Sequence, residues 1–147
     1  MFTTQTTYST GSSPDSLQAV HVNGYDKPDI IVANAGSNNV GVLLNTGNGT
    51  ISAQTNYSTG SGSAPYSVVA VDVNGDGKLD IIVANYGSNN VGVLLIIGNG
   101  TFAAQMTYSA GSGPVCLAAP DVNGDGKPDI IVANSVSSNV GVLLNYC

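Results

Sequence analysis

The chain has 147 residues, 42% hydrophobic content, 19 Gly and a formal net charge of −6, a size suited to one domain and a composition suited to short strands joined by tight turns. Its only basic side chains besides His21 are Lys27, Lys78 and Lys127, too few to neutralise a run of phosphates, which excludes nucleic-acid binding. No apolar stretch approaches the roughly 20 residues that cross a bilayer, and the N-terminus Met1-Phe-Thr-Thr-Gln5 carries neither the basic region nor the apolar core of a signal peptide.

In chain order, a first strand is expected near Thr4–Tyr8. Its pattern Gln5-Thr-Thr-Tyr8 returns as Gln54-Thr-Asn-Tyr57 and Gln105-Met-Thr-Tyr108, a period of about 50 residues that belongs to arrays or propellers. A nine-residue loop follows in each copy: His21-Val-Asn-Gly-Tyr-Asp-Lys-Pro-Asp29, then Asp72-Val-Asn-Gly-Asp-Gly-Lys-Leu-Asp80, then Asp121-Val-Asn-Gly-Asp-Gly-Lys-Pro-Asp129. In the middle copy this loop separates the β-branched runs Ser67–Val71 and Asp80–Ala84. A third strand, Asn90–Leu95, comes next, and a thinner, more polar fourth, Thr101–Tyr108, follows the Asn99-Gly100 hairpin signal.

Four short antiparallel strands per copy describe one propeller blade. The expected class is all-β, one domain over 1–147, with blades at about 14–57, 65–108 and 114–147. The chain opens on a fourth strand and stops after a third, so segment 4–8 is expected to complete the third blade. Known rings use roughly four to eight blades. Three are too few, and the expected assembly is a homodimer that exchanges these strands and closes a six-bladed ring.

The two intact loops hold oxygen ligands at positions one, three, five and nine, with the carbonyl of position seven adding another. In copy two the set is Asp72, Asn74, Asp76, the Lys78 carbonyl and Asp80. In copy three it is Asp121, Asn123, Asp125, the Lys127 carbonyl and Asp129. Hard, flexible oxygen coordination of this kind suits Ca²⁺ better than Mg²⁺, and clustered carboxylates without a cation repel one another. The alternative is that the Asx side chains cap backbone amides in the turn. Copy one has His21 at position one and Tyr25 at position five, so that loop is expected to bind no metal. Cys116 and Cys147 lack metal-ligand spacing and could pair, cross-link chains or stay free.

Together the Asp-Val-Asn-Gly-Asp-Gly-Lys-Pro-Asp loop, the Ile-Ile-Val-Ala-Asn strand, Val-Gly-Val-Leu-Leu-Asn, Gly-Asn-Gly-Thr and the prolines Pro14, Pro65 and Pro114 resemble the FG-GAP and VCBS repeats of integrin alpha-subunit propellers. The resemblance covers essentially the whole chain. It implies a calcium-binding propeller, extracellular or at the cell surface, used for adhesion or for glycan or protein recognition. Tyr8, Tyr57 and Tyr108 recur once per blade and stand as either aromatic sugar platforms or packing residues. A purely structural assembly unit is the alternative function. With one His, no Glu and no Arg, the chain offers no acid-base pair or nucleophile, and an enzyme is not expected.

Overall fold

The computed structural model describes residues 1–146. The first repeat forms β1 (Pro14–Val20), β2 (Asp29–Asn34), β3 (Asn39–Leu43), a short hairpin of β4 (Asn45–Gly47) and β5 (Thr50–Ile51), and β6 (Thr55–Ser58). The second forms β7 (Pro65–Val71), β8 (Asp80–Asn85), β9 (Asn90–Leu94), the hairpin β10 (Ile96–Gly98) and β11 (Thr101–Phe102), and β12 (Met106–Ser109). The third forms β13 (Pro114–Ala118), β14 (Ile130–Asn134) and β15 (Asn139–Leu143). The sheets run β1-β2-β3-β6, β7-β8-β9-β12 and β13-β14-β15, antiparallel throughout. The architecture is all-β, and its sheets are consistent with propeller blades.

The turn chemistry explains the boundaries. Asn38, Asn89 and Ser138, each just before a third strand, sit at φ of 52, 54 and 53°, a left-handed turn position that Asn occupies at low cost. Asn48-Gly49 and Asn99-Gly100 both take positive φ, as a two-residue hairpin turn requires. The expected fourth strand at Thr101–Tyr108 is therefore two elements. Thr101 and Phe102 pair back onto the hairpin, the Ala103 amide donates to the Leu95 carbonyl at 2.8 Å, and only from Met106 does the chain pair with β9.

The core lies between sheets. On β8, Ile81 and Val83 join a cluster with Ile31, Val40 and Val42 of the first blade, while Ile82 and Ala84 join one with Leu117 and Val132 of the third. Successive strand side chains point to opposite faces, so a blade covered on both sides needs an unbroken apolar run. All four of these β8 residues are fully buried. Adjacent first strands are also tied by polar bonds. The Val68 amide donates to Ser16 Oγ at 3.3 Å, the Ala70 amide to Gln18 Oε1 at 2.7 Å and the Leu117 amide to Ser67 Oγ at 3.2 Å.

Residues 1–10 lie in no strand and are exposed, so the expected strand at 4–8 is not formed within the chain. Among the described residues, β15 carries no outer partner. Cys116 is free and exposed among the described residues; the alternative of a bond to Cys147 lies outside them. Among the described residues, no helix is long and apolar enough to cross a membrane.

Ile82→Ala empties a site closed on both sides by packed strands and is expected to cost about 2–5 kcal/mol, read as a lower urea midpoint at unchanged slope. Ile97→Ala, at a position 68% exposed, should stay within about 0.5 kcal/mol.

Candidate metal centre

Each nine-residue loop joins the first two strands of a blade, so the three loops occupy equivalent ends of their sheets. In loop two the position-one carboxylate gathers backbone amides: Asp72 Oδ1 accepts from Gly75 at 2.7 Å and Asp76 at 3.2 Å, and Oδ2 from Gly77 at 2.7 Å. Asn74 Oδ1 accepts from the Asp76 amide at 3.1 Å, and Asp76 Oδ1 from the Lys78 amide at 2.9 Å. Loop three repeats the pattern. Asp121 accepts from Gly124 at 2.7 Å and Gly126 at 2.8 Å, Asn123 from Asp125 at 3.0 Å, and Asp125 from Lys127 at 3.0 Å. Gly77 and Gly126 stand at φ of 80 and 85°, where a Cβ is strained.

Position nine does a different job. Asp80 is fully buried; its Oδ2 accepts from the Val73 amide at 3.1 Å and its Oδ1 from the Ile96 amide at 2.8 Å. It clamps the loop to the second residue after the third strand. Asp129 holds Val122 at 2.9 Å and Asn145 at 2.8 Å in the same way, and Asp29 holds Val22 at 2.9 Å and Asn45 at 2.7 Å. The ligand-spacing argument overlooked this clamp. The signal for it was Asp29, which persists in the loop where positions one and five are no longer acidic.

The electrostatics divide along the same line. Burial is the largest influence on Asp80 and raises its pKa; the amides of Ile96 and Val73 oppose this, and the charges of Asp76 and Asp72 reinforce it. For Asp72, desolvation also raises the pKa, but the amides of Gly77, Gly75, Asp76 and Asn74 together bring it below the usual value. Asp121 is likewise lowered, first by the Gly126 amide against desolvation and then by Gly124, Asp125 and Asn123.

Among the described residues, no three acidic, His or Cys side chains lie together as a ready metal cluster. The donor chemistry nonetheless fits a hard cation. A carboxylate offers about four lone-pair positions; the bonds above take three on Asp72 and two on Asp80, leaving oxygens on Asp72, Asp76, Asp80 and Asn74 able to accept more. Asp121, Asn123, Asp125 and Asp129 keep the same kind of reserve. The Lys78 and Lys127 backbones follow the tight glycine bends, while their side chains take no part in the hydrogen bonds above.

Loop one lacks the amide-gathering carboxylate. The Tyr25 amide donates to Asn23 Oδ1 at 3.0 Å, Asn23 Nδ2 donates to Asp29 Oδ1 at 3.0 Å, and the Tyr25 side chain is 69% exposed. It borders a cleft of about 730 Å³ whose lining includes Asn23, Asp26, Lys27, Thr46 and Asn99.

The family model described as an FG-GAP-like repeat matches residues 21–83 and 72–132, so the two matches meet in loop two and reach from loop one into the third blade. No curated protein matches the chain.

Asp80→Ala leaves two amides without their acceptor and is expected to cost about 2–4 kcal/mol even in chelator, measured by urea unfolding. A loss seen only in calcium would contradict the clamp.

Proposed function

Because the chain belongs to the FG-GAP-like repeat family, we propose that it is a calcium-stabilised β-propeller module for extracellular recognition and scaffolding, without catalytic activity. The blades form part of a closed ring, six-bladed when two chains combine. Calcium, bound by Asp72, Asn74, Asp76, Asp80 and the Lys78 carbonyl, and by their counterparts in loop three, supplies positive charge that offsets the burial and the lesser carboxylate repulsion that raise Asp80. An ion that binds only the folded loop stabilises it by mass action.

The observation that carries the recognition reading is the divergence of loop one. Where the acidic positions are replaced, an exposed Tyr25 stands over a cleft bordered by amide, hydroxyl, carboxylate and ammonium groups. An aromatic face beside several hydrogen-bonding groups suits a glycan, and the cleft lies within the usual range of roughly 300–1,000 Å³ for small-ligand sites. The repeated tyrosines support the scaffold side instead. Tyr57 packs edge-on against Phe102, with centroids 5.5 Å apart at 84°, and its hydroxyl donates to the Gly100 carbonyl at 3.4 Å. It joins blades rather than offering a free face.

Asp76→Ala is expected to lower the melting temperature in calcium and to change it little in chelator; an equal drop in both buffers contradicts a metal role. Tyr25→Ala should weaken glycan binding at least about tenfold at an unchanged melting temperature. If the unmodified chain binds nothing across a diverse glycan array, the recognition reading fails and the scaffold reading stands.

A further inference from the structure

The third strand of the third blade is exposed where those of the first two are covered. Val40 and Val42 of β3, and Val91 and Val93 of β9, are at most 4% exposed because the following blade packs on them. Their counterparts on β15, Val140 and Val142, are 66% and 53% exposed. At the other end of the chain, Leu17 of β1 is 64% exposed, whereas its counterparts Val68 and Leu117 are buried against the preceding blade. The chain thus presents two apolar blade faces that match the two sides of its own internal blade contacts.

The second feature is a cavity of about 310 Å³ between blades two and three, lined by residues that include Val73, Val93, Leu95 and Tyr108. These correspond by repeat position to Val22, Val42, Leu44 and Tyr57. Those four belong to the cluster that holds Phe102, the buried aromatic of the β10–β11 hairpin. The cavity therefore corresponds to the seat that Phe102 itself fills one blade earlier. Phe2 stands six residues before Tyr8, as Phe102 stands six before Tyr108, and Phe2 is fully exposed.

The third feature is a glycine. In the first two blades a Gln side chain lies over the third-strand glycine: Gln54 over Gly41, and Gln105 over Gly92. Asn34 and Asn85 donate to the Oε1 of those glutamines at 3.4 and 3.3 Å. Gly141 has no Gln over it, while Gln5 occupies the matching sequence position in the unpaired N-terminal segment. The Tyr8 hydroxyl donates to the Gly49 carbonyl at 3.3 Å, the same link to a following hairpin that Tyr57 makes to Gly100. Tyr8 therefore stands, through this bond, where the tyrosine of a blade preceding the first would stand.

We infer that residues 2–9 of a second copy of this chain complete the third blade, with Phe2 in the cavity beside Tyr108 and Gln5 over Gly141. The register follows the two blades already complete, where Val40 faces Tyr57 and Val42 faces Thr55, and Val91 faces Tyr108 and Val93 faces Met106. Tyr8 pairs with Val140 and Thr6 with Val142. The same contact brings Leu17 of one copy onto the Val140–Val142 face of the other. Two copies make six blades, within the range of about four to eight that closed rings use, whereas one gives three and three give nine. Each copy both donates and receives a strand, which closes the assembly. This inference rests on the propeller reading above but not on calcium or a glycan.

The test is the solution mass of the full chain by light scattering at tens of micromolar, with three variants. The unmodified chain is expected at the mass of two chains. Phe2 touches no core in its own chain, so Phe2→Ala should keep the circular dichroism spectrum while raising the dimer dissociation constant roughly 100-fold or more. In a Cys116→Ser, Cys147→Ser background, chains carrying Thr6→Cys are mixed with chains carrying Val142→Cys and oxidised. Directly opposed strand residues lie about 4.5–5.5 Å apart between Cα atoms, within disulfide reach, so a cross-linked heterodimer is expected. A single-chain mass, a two-chain mass indifferent to Phe2→Ala, or a dimer without the cross-link overturns the inference. A monomer whose melting temperature still rises in calcium sinks the strand exchange alone, and a cross-linked dimer indifferent to calcium sinks the metal reading alone.

Discussion

A blade of this chain is apolar on both faces, and one sheet cannot bury both faces of itself. Ile81 and Val83 point one way from β8, Ile82 and Ala84 the other, and all four are buried because a neighbouring blade stands on each side. The hydrophobic contribution, about 25 cal/mol per Å² of apolar surface removed from water, is therefore collected between repeats rather than within them. Stability in such a chain is a sum over neighbour contacts. The end blades are the weak terms, and the exposed Leu17, Val140 and Val142 show where neighbours are missing.

Within each blade, a buried carboxylate performs the local fixing. Asp29, Asp80 and Asp129 each accept one amide from the loop and one from the second residue after the third strand. A buried charge without partners is costly, and these amides provide partners. The two intact loops then add the half-buried Asp72 and the exposed Asp121, carboxylates that fold the loop around themselves. This division gives loop one freedom to diverge. With the clamp at Asp29 retained, His21 and Tyr25 can replace acidic residues without opening the blade, and Tyr25 can turn outward over its cleft.

The strands were legible because β-branched runs and Asn-Gly turns report local geometry directly. β8 and β9 lie within a residue of the segments expected for them, and the sheets recur with the repeat period. The split of the expected strand at Thr101–Tyr108 was not legible, because it depends on where the hairpin closes against the end of β9, a contact between residues whose propensities do not differ. Loop spacing pointed to oxygen-rich turns. It treated all four acidic or amide positions alike, however, whereas burial separates Asp80 and Asp129 from the exposed Asp76 and Asp125. The tyrosines show the same limit: Tyr57 reads equally well as a platform or a packing residue until Phe102 is seen against it.

The proposed strand exchange would give the third sheet the outer strand that the first two already have in β6 and β12, and would cover the apolar faces that Leu17, Val140 and Val142 expose. Native-state hydrogen exchange on the full chain tests this most directly, because amide protection reports pairing strand by strand. The amides of β15 that face away from β14 are expected to exchange as slowly as the corresponding outward amides of β9, which β12 covers. Exchange of those β15 amides at the rate of an open loop, while β9 stays protected, would contradict the account.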